Sequence, residues 1–187
     1  MLPTEGSVEH GKTVNAPETE YKDVKVTDGV WSFKGWTPVK YENVTGNVEF
    51  VGKWEFTKNT YSVIYEFVSG TKNKELPKEV INLLPSDDTK YEHGSDVTAI
   101  TPDKTTVVVA DGTWTFKGYD KDKAENISSA VKFIGTWEFT VNQYVVDYKF
   151  ESINTDKELP KEIIDQLPTA GSVEHGKTVN APETEYK

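Results

Sequence analysis

The clearest pattern along the chain is an alternation of large apolar and polar side chains. In Tyr61-Ser62-Val63-Ile64-Tyr65-Glu66-Phe67 large apolar residues occupy the odd positions, the period of a half-buried strand. The period changes over Lys74–Leu84, where Leu76, Val80, Leu83 and Leu84 fall at i, i+4, i+7 and i+8. That spacing predicts a helix of about ten residues, too short to be stable unless its apolar stripe docks on a sheet. Pro77 fits the first helical turn, and Pro85 cannot continue the helix. Further on, His93-Gly94 marks a turn and Val97–Ile100 a weak strand ended by Pro102. Thr105–Ala110 and Thr113–Tyr119 flank Asp111-Gly112, which predicts a two-residue hairpin of type I′. Asp120–Ser129 reads as a polar connection and Val131–Thr140 as the last strand. The sum is one short helix on a mainly antiparallel sheet, an α+β fold.

These patterns occur more than once, so the chain reads as a repeat protein. Asp23–Thr57 and Thr106–Thr140 are identical at 18 of 35 positions, and Tyr61–Pro85 and Tyr144–Pro168 at 14 of 25, both at a spacing of 83 residues. A unit of that length can fold as a small domain with a modest core. If it starts at Tyr61, the chain holds the second half of a unit (2–57), a complete unit (61–140) and the first half of another (144–187). The ends duplicate each other: Leu2–Lys22 and Leu167–Lys187 differ only at Glu5 against Ala170. The junctions Lys58-Asn59-Thr60 and Val141-Asn142-Gln143 contain no Gly or Pro and are too short to behave as flexible coils. Neighbouring units are therefore expected to be held nearly rigid, in an elongated rod.

Composition narrows the function. The 187 residues carry 31 acidic and 21 basic side chains, all 21 of them Lys, for a net charge of −10. Nucleic-acid binding needs a basic footprint and commonly uses Arg, so no nucleic-acid partner is expected. Cys is absent, which removes disulfides and thiolate chemistry. No apolar run reaches the roughly 18 residues of a membrane span, so no membrane insertion is expected. Aromatics make up 12% of the chain against a hydrophobic total of 35%, which points to a core of Trp, Tyr and Phe on strands.

The pattern Tyr61-x-Val63-x-Tyr65-x-Phe67-x-Ser69-Gly70, followed by Glu75-Leu76-Pro77-x-x-Val80 and Leu84-Pro85, resembles the streptococcal SHIRT repeat (Streptococcal High Identity Repeats in Tandem). So does Asp111-Gly112-Thr113-Trp114-Thr115-Phe116-Lys117-Gly118, followed by Phe133-x-Gly135-Thr136-Trp137-Glu138-Phe139. The resemblance runs from Leu2 to Lys187. It implies a stalk module of a cell-wall-anchored surface protein of a Gram-positive bacterium, located outside the cell. In such proteins tandem copies hold a terminal ligand-binding domain away from the wall.

Candidate chemistry is sparse. All three His residues sit in Glu-His-Gly (His10, His93, His175), either a repeated turn or, given converging partners, a metal or catalytic site. The acidic loop Asp120–Asn126 has carboxylates that could suit Ca²⁺, but it also has interleaved Lys and no loop Gly. Lys132 is the Lys in the most apolar context, and its counterpart Glu49 argues against an isopeptide cross-link. Leu167-Pro168-Thr169-Ala170-Gly171 has the outline of a sortase motif, yet the equivalent Leu84-Pro85 marks a helix end. No catalytic residue, cofactor or metal is expected. Trp31, Trp54, Trp114 and Trp137 each stand two residues before a Phe, so each pair shares one strand face and is expected in the core. Trp36, replaced by Tyr119 in the next unit, is the candidate for an exposed ligand contact, and the two mark an alternative carbohydrate- or host-protein-binding module.

The expected role is a non-catalytic spacer whose partners are neighbouring repeats. The two halves at the ends are complementary and predict head-to-tail self-association between copies by exchange of elements. In that association Val8–Lys22 and Val173–Lys187 compete for one place.

Overall fold

The computed structural model describes residues 6–183. The near-duplicate ends extend past these limits, and the Glu5 difference lies outside the described residues. The chain divides into two compact units. One gathers Met1–Ile64, Asp87–Thr98 and Lys123–Lys132; the other gathers Tyr65–Ser86, Ala99–Asp122 and Phe133–Lys187.

The first unit contains an antiparallel three-stranded sheet of Val24–Lys25, Gly29–Thr37 and Val51–Lys58, with Trp31 opposite Phe56 and Phe33 opposite Trp54. Short antiparallel ribbons accompany it: Val14–Asn15 with Lys40–Tyr41, Thr60–Tyr61 with Tyr91–Glu92, and Val97–Thr98 with Lys123–Ala124. The last ribbon runs through the segment read from sequence as a plain polar connection. Val44, Val63, Val97, Ile127 and Val131 are its buried apolar residues.

The second unit holds most of a four-stranded sheet ordered Thr106–Val109, Gly112–Tyr119, Val131–Val141, Val63–Ser69. The first two pairings are antiparallel. The third is parallel, because Val131 N–H donates to Ser62 O and Gly70 N–H to Trp137 O, bonds that advance in the same direction along both strands. The sheet is thus mixed. The connection from Ser69 to Val131 carries the helix and the hairpin, as a parallel pair requires of its crossover.

Two local expectations need correcting. The helix spans only Lys78–Ile81, with Pro77 extended at its N-cap (φ −74°, ψ 162°). Proline also disfavours helical geometry at the residue before it, so the helix cannot begin at Lys74. Leu83 and Leu84 continue through i→i+3 bonds to Val80 O and Ile81 O; Leu76, Val80 and Leu83 join the core as predicted, whereas Leu84, the fourth member of the predicted stripe, is exposed, because the tighter i→i+3 turn takes it off the face of a regular helix. The hairpin turn is Ala110-Asp111, since Val109 pairs with Gly112. Neither turn residue has a positive φ, which excludes type I′. Gly112 is required for space: a Cβ there would lie 2.3 Å from Phe139 Cζ and 2.3 Å from Thr140 O.

Around these strands Val80, Trp114 and Trp137 form a buried cluster, packed by Phe67, Phe116 and Phe139 among others. The same sequence pattern fares differently near the ends. Trp31 and Trp54 are 41% and 39% exposed, whereas Trp114 and Trp137 are 1% and 0%. Residues 147–150, counterparts of strand residues Ile64–Phe67, form no strand, and Phe150 is 39% exposed. The same alternation is thus covered in one place and exposed in another, so alternation alone does not make a sheet.

Candidate functional site

The three Glu-His-Gly segments are turns. Lys12, Ser95 and Lys177 N–H groups donate to Glu9, Glu92 and Glu174 O, and the central Gly residues have φ of +79°, +84° and +77°. A positive φ at the third turn position is what a type II turn asks of Gly.

Two of these turns take part in a repeated joint. Asn59 donates its backbone N–H to Asp28 O (2.9 Å) and its side-chain amide to Thr27 O (3.1 Å). Its own carbonyl accepts from His93 N–H (2.8 Å). Asn142 repeats the arrangement, donating to Asp111 O (2.9 Å) and Ala110 O (3.2 Å) and accepting from His175 N–H (2.8 Å). Beside each, a Tyr hydroxyl bonds the His ring: Tyr61 to His93 Nδ1 at 3.1 Å, and Tyr144 to His175 Nδ1 at 3.0 Å. One Asn therefore ties the hairpin turn before the junction to the Glu-His-Gly turn after it. Sequence reading identified both junctions but gave Asn no role. The signal was there: Asn is the one residue that Lys58-Asn59-Thr60 and Val141-Asn142-Gln143 share.

The joint also touches the core. Lys74 Nζ lies 2.6 Å from Asp111 Oδ2 and 4.1 Å from the centre of the Phe139 ring. The hydrogen bond from Lys74 holds the Asp111 carboxyl below its usual range, with a further contribution from His175. Lys132 is exposed on its strand, between buried Val131 and Phe133.

The aromatic face is shaped by a bulge. The register slips between Phe116 and Gly118, and likewise between Phe33 and Gly35, with Gly118 at φ +113° and Gly35 at +114°. The extra residue brings position 119 back to the face of position 116. Tyr119 accordingly packs 5.1 Å from Phe116 and 5.9 Å from Phe133, centre to centre, and its hydroxyl donates to Ile100 O (2.9 Å). Trp36 lies 5.6 Å from Phe33, and its indole Nε1 has no hydrogen-bond partner.

Burial, then the neighbouring Tyr65, push the Tyr119 phenol up to about 12. Such a group is neutral in both states below the ordinary phenol value of about 10; as pH rises from there through about 12 it weakens folding. Tyr119→Phe is expected to lose the Ile100 bond, about 1 kcal/mol at pH 8, and to flatten the alkaline loss of stability. Urea unfolding at pH 8 and pH 11 checks both; an unchanged alkaline slope in the variant would contradict the assignment.

The acidic loop is tied both to itself and to neighbouring segments. Asp120 accepts from Ile134 N–H (2.8 Å), and Lys123 bridges Asp96 and Glu125, each at 2.9 Å. Among the described residues no three His, Asp or Glu side chains gather as a metal-holding group, and no helix is long and apolar enough to cross a membrane. Leu167-Pro168 follows the helix Lys161–Ile164, and Gly171–Glu174 pairs with Gln143–Val146.

The molecule is thus a β-rich tandem-repeat module whose distinctive geometry lies in packing and in its junctions. The sequence model of the SHIRT domain matches residues 2–57, 59–140 and 142–187, so Asn59 and Asn142 open the second and third matched spans. The chain belongs to the SHIRT domain family. It is similar to the solved structure of SHIRT domains 3-4 from a cell surface protein, at 40% identity over 75% of this chain and 86% of that one, with a TM-score of 0.57. SHIRT domains 10 and 2 from a cell surface protein are 51% and 49% identical, covering 44% and 46% of this chain and 100% and 99% of theirs, with TM-scores of 0.43 and 0.33. No curated protein matches the sequence.

Proposed function

We propose that the chain is a non-catalytic spacer, part of a longer surface protein anchored to the wall of a Gram-positive bacterium, whose repeats stack into an elongated stalk. The observation that carries this reading is the joint: the same five-group arrangement of Asn, hairpin-turn carbonyls, His amide, His ring and Tyr hydroxyl occurs at both junctions. A tether needs no such repetition, whereas a stalk of fixed step does. The origin of the solved relatives in a cell surface protein supports the location. Residues 2–57, 61–140 and 144–187 are then half, whole and half repeats. Trp36 and Tyr119 have packing roles in this reading, not ligand roles.

Small-angle scattering on arrays of two, four and six repeats tests the stalk. The maximum dimension is expected to grow by a constant step per repeat, and failure to grow in proportion sinks the proposal. Asn142→Ala removes one exposed hydrogen bond, so it is expected to cost only about 0.5–1.5 kcal/mol while broadening the distance distribution. A mutant profile superposing on the parent's would show that the Asn is not what stiffens the joint.

A further inference from the structure

In the complete repeat the first long strand, Val63–Ser69, and the last, Val131–Val141, are neighbours in one sheet and run in the same direction. Val131 N–H donates to Ser62 O at 3.1 Å and Gly70 N–H to Trp137 O at 2.8 Å. In a parallel ladder these bonds set Val63 beside Val131 and Ser69 beside Trp137, one register without a slip. Past the end of the shorter strand there is one more bond, from Phe139 N–H to the Thr71 hydroxyl (2.8 Å). The Asn59 junction leads into the first of these strands, and the Asn142 junction leads out of the second. A pull on the two junctions therefore acts on opposite ends of the strand pair.

We propose that this strand pair is a mechanical clamp, by which each repeat carries tension along the stalk as well as setting its length. The inference rests on the stalk reading above, in which load enters a repeat at one junction and leaves it at the next. Because the two strands are parallel, that load drives one along the other. The ladder bonds then share it and must break together. Had the first and last strands been antiparallel, both junctions would sit at the same end of the pair, and the same pull would open the ladder bond by bond. Forced unfolding is governed by the unfolding rate, which is lowest when many bonds must fail at once.

The side chains oppose the same slide. Phe67 lies over Gly135, where a Cβ would fall 2.9 Å from the ring, so the glycine leaves a notch for it. Tension draws Val63–Ser69 towards its own N-terminal end, and one ladder step of two residues is about 6.6 Å. That step would carry Phe67 towards Phe133, a fully buried ring already stacked on Tyr65 at 5.5 Å between centres and 24° between planes. It would also part Phe67 from Trp137, 5.7 Å away, and Thr71 from Phe139. Backbone and side chains thus resist motion along one direction, the direction in which an array is loaded.

Single-molecule force spectroscopy on the 187-residue chain tests the clamp. Cys is absent, so two introduced thiols define the pulling points, and Thr60, Lys72 and Gln143 are all exposed. Between Thr60→Cys and Gln143→Cys the load shears the strand pair, and unfolding lengthens the tether by at most about 300 Å. Between Lys72→Cys and Gln143→Cys the load reaches the ladder from one end and opens its bonds in turn. The first geometry is expected to need a severalfold higher force at the same pulling rate. Thr71→Val keeps the shape of the side chain, removes the hydroxyl and should lower the shear force. Tyr119→Phe also loses one hydrogen bond, but outside the ladder, and should leave that force unchanged although both variants lower the urea midpoint. Circular dichroism on each variant separates loss of fold from loss of the clamp. Equal forces in the two geometries overturn the clamp. So does a drop for Tyr119→Phe as large as that for Thr71→Val, since force would then follow overall stability. Neither result alters the constant step expected in scattering, and an array that fails to lengthen in step leaves the force ratio measurable, so the clamp and the stalk fail separately.

Discussion

Trp137→Ala is expected to destabilise the complete repeat by about 3–5 kcal/mol, the range for removing a large aromatic from a packed core. The ring is fully buried, is met by Phe67 at 5.7 Å and Phe116 at 5.3 Å, and belongs to the cluster with Val80 and Trp114. Trp54→Ala is the same chemical change at the equivalent position. It should cost only about 1 kcal/mol, since that ring already faces solvent in part and is met by Tyr21 at 6.1 Å and Phe33 at 5.3 Å without a buried cluster around it. Trp137→Phe should be milder than Trp137→Ala for a second reason: the buried indole Nε1 has no partner, so its removal takes away an unpaired donor along with some volume. Urea unfolding followed by circular dichroism ranks the three variants. Equal losses at positions 54 and 137 would show that the two aromatic faces are covered alike.

Gly112→Ala is expected to cost about 2–3 kcal/mol through overpacking. The added methyl would meet the Phe139 ring on one side and the backbone carbonyl of Thr140 on the other, both at 2.3 Å. The carbonyl is fixed by the sheet, so Phe139 must leave its place against Trp114, 5.3 Å away between centres, and its contact with Lys74. The same change at Gly46, where no atom lies within 4 Å, should stay within about 0.5 kcal/mol. Thermal or urea unfolding of the pair is the check. A near-neutral Gly112→Ala would show that the Phe139 ring gives way at little cost and that the position does not require glycine.

Much of the architecture is legible in the amino-acid order. Alternation and the i, i+4, i+7 stripe locate the main strands and the helical turn, because burial on one face imposes those periods. The 83-residue recurrence and the paired Trp-x-Phe segments lead to a family that the comparisons bear out. Local pattern does not contain the partner. It could not show that Val63–Ser69 runs parallel to Val131–Val141, nor that a bulge at Gly118 returns Tyr119 to the aromatic face, since both depend on which strand lies alongside. Nor could it show why Gly112 is glycine, which is a matter of where the Phe139 ring comes to rest. Asn59 and Asn142 looked like ordinary linker residues until the turns on either side were brought within reach of them.

What the sequence determined by itself was the repeat, its elements and their order. Tertiary structure alone decided which of the equivalent residues are core. Trp114 and Trp31 stand in the same pattern, as do Phe67 and Phe150, yet one of each pair is covered and the other meets water. The physical reason is that removing apolar surface from water requires a second surface, and a one-dimensional pattern specifies the face without specifying what will be there to cover it.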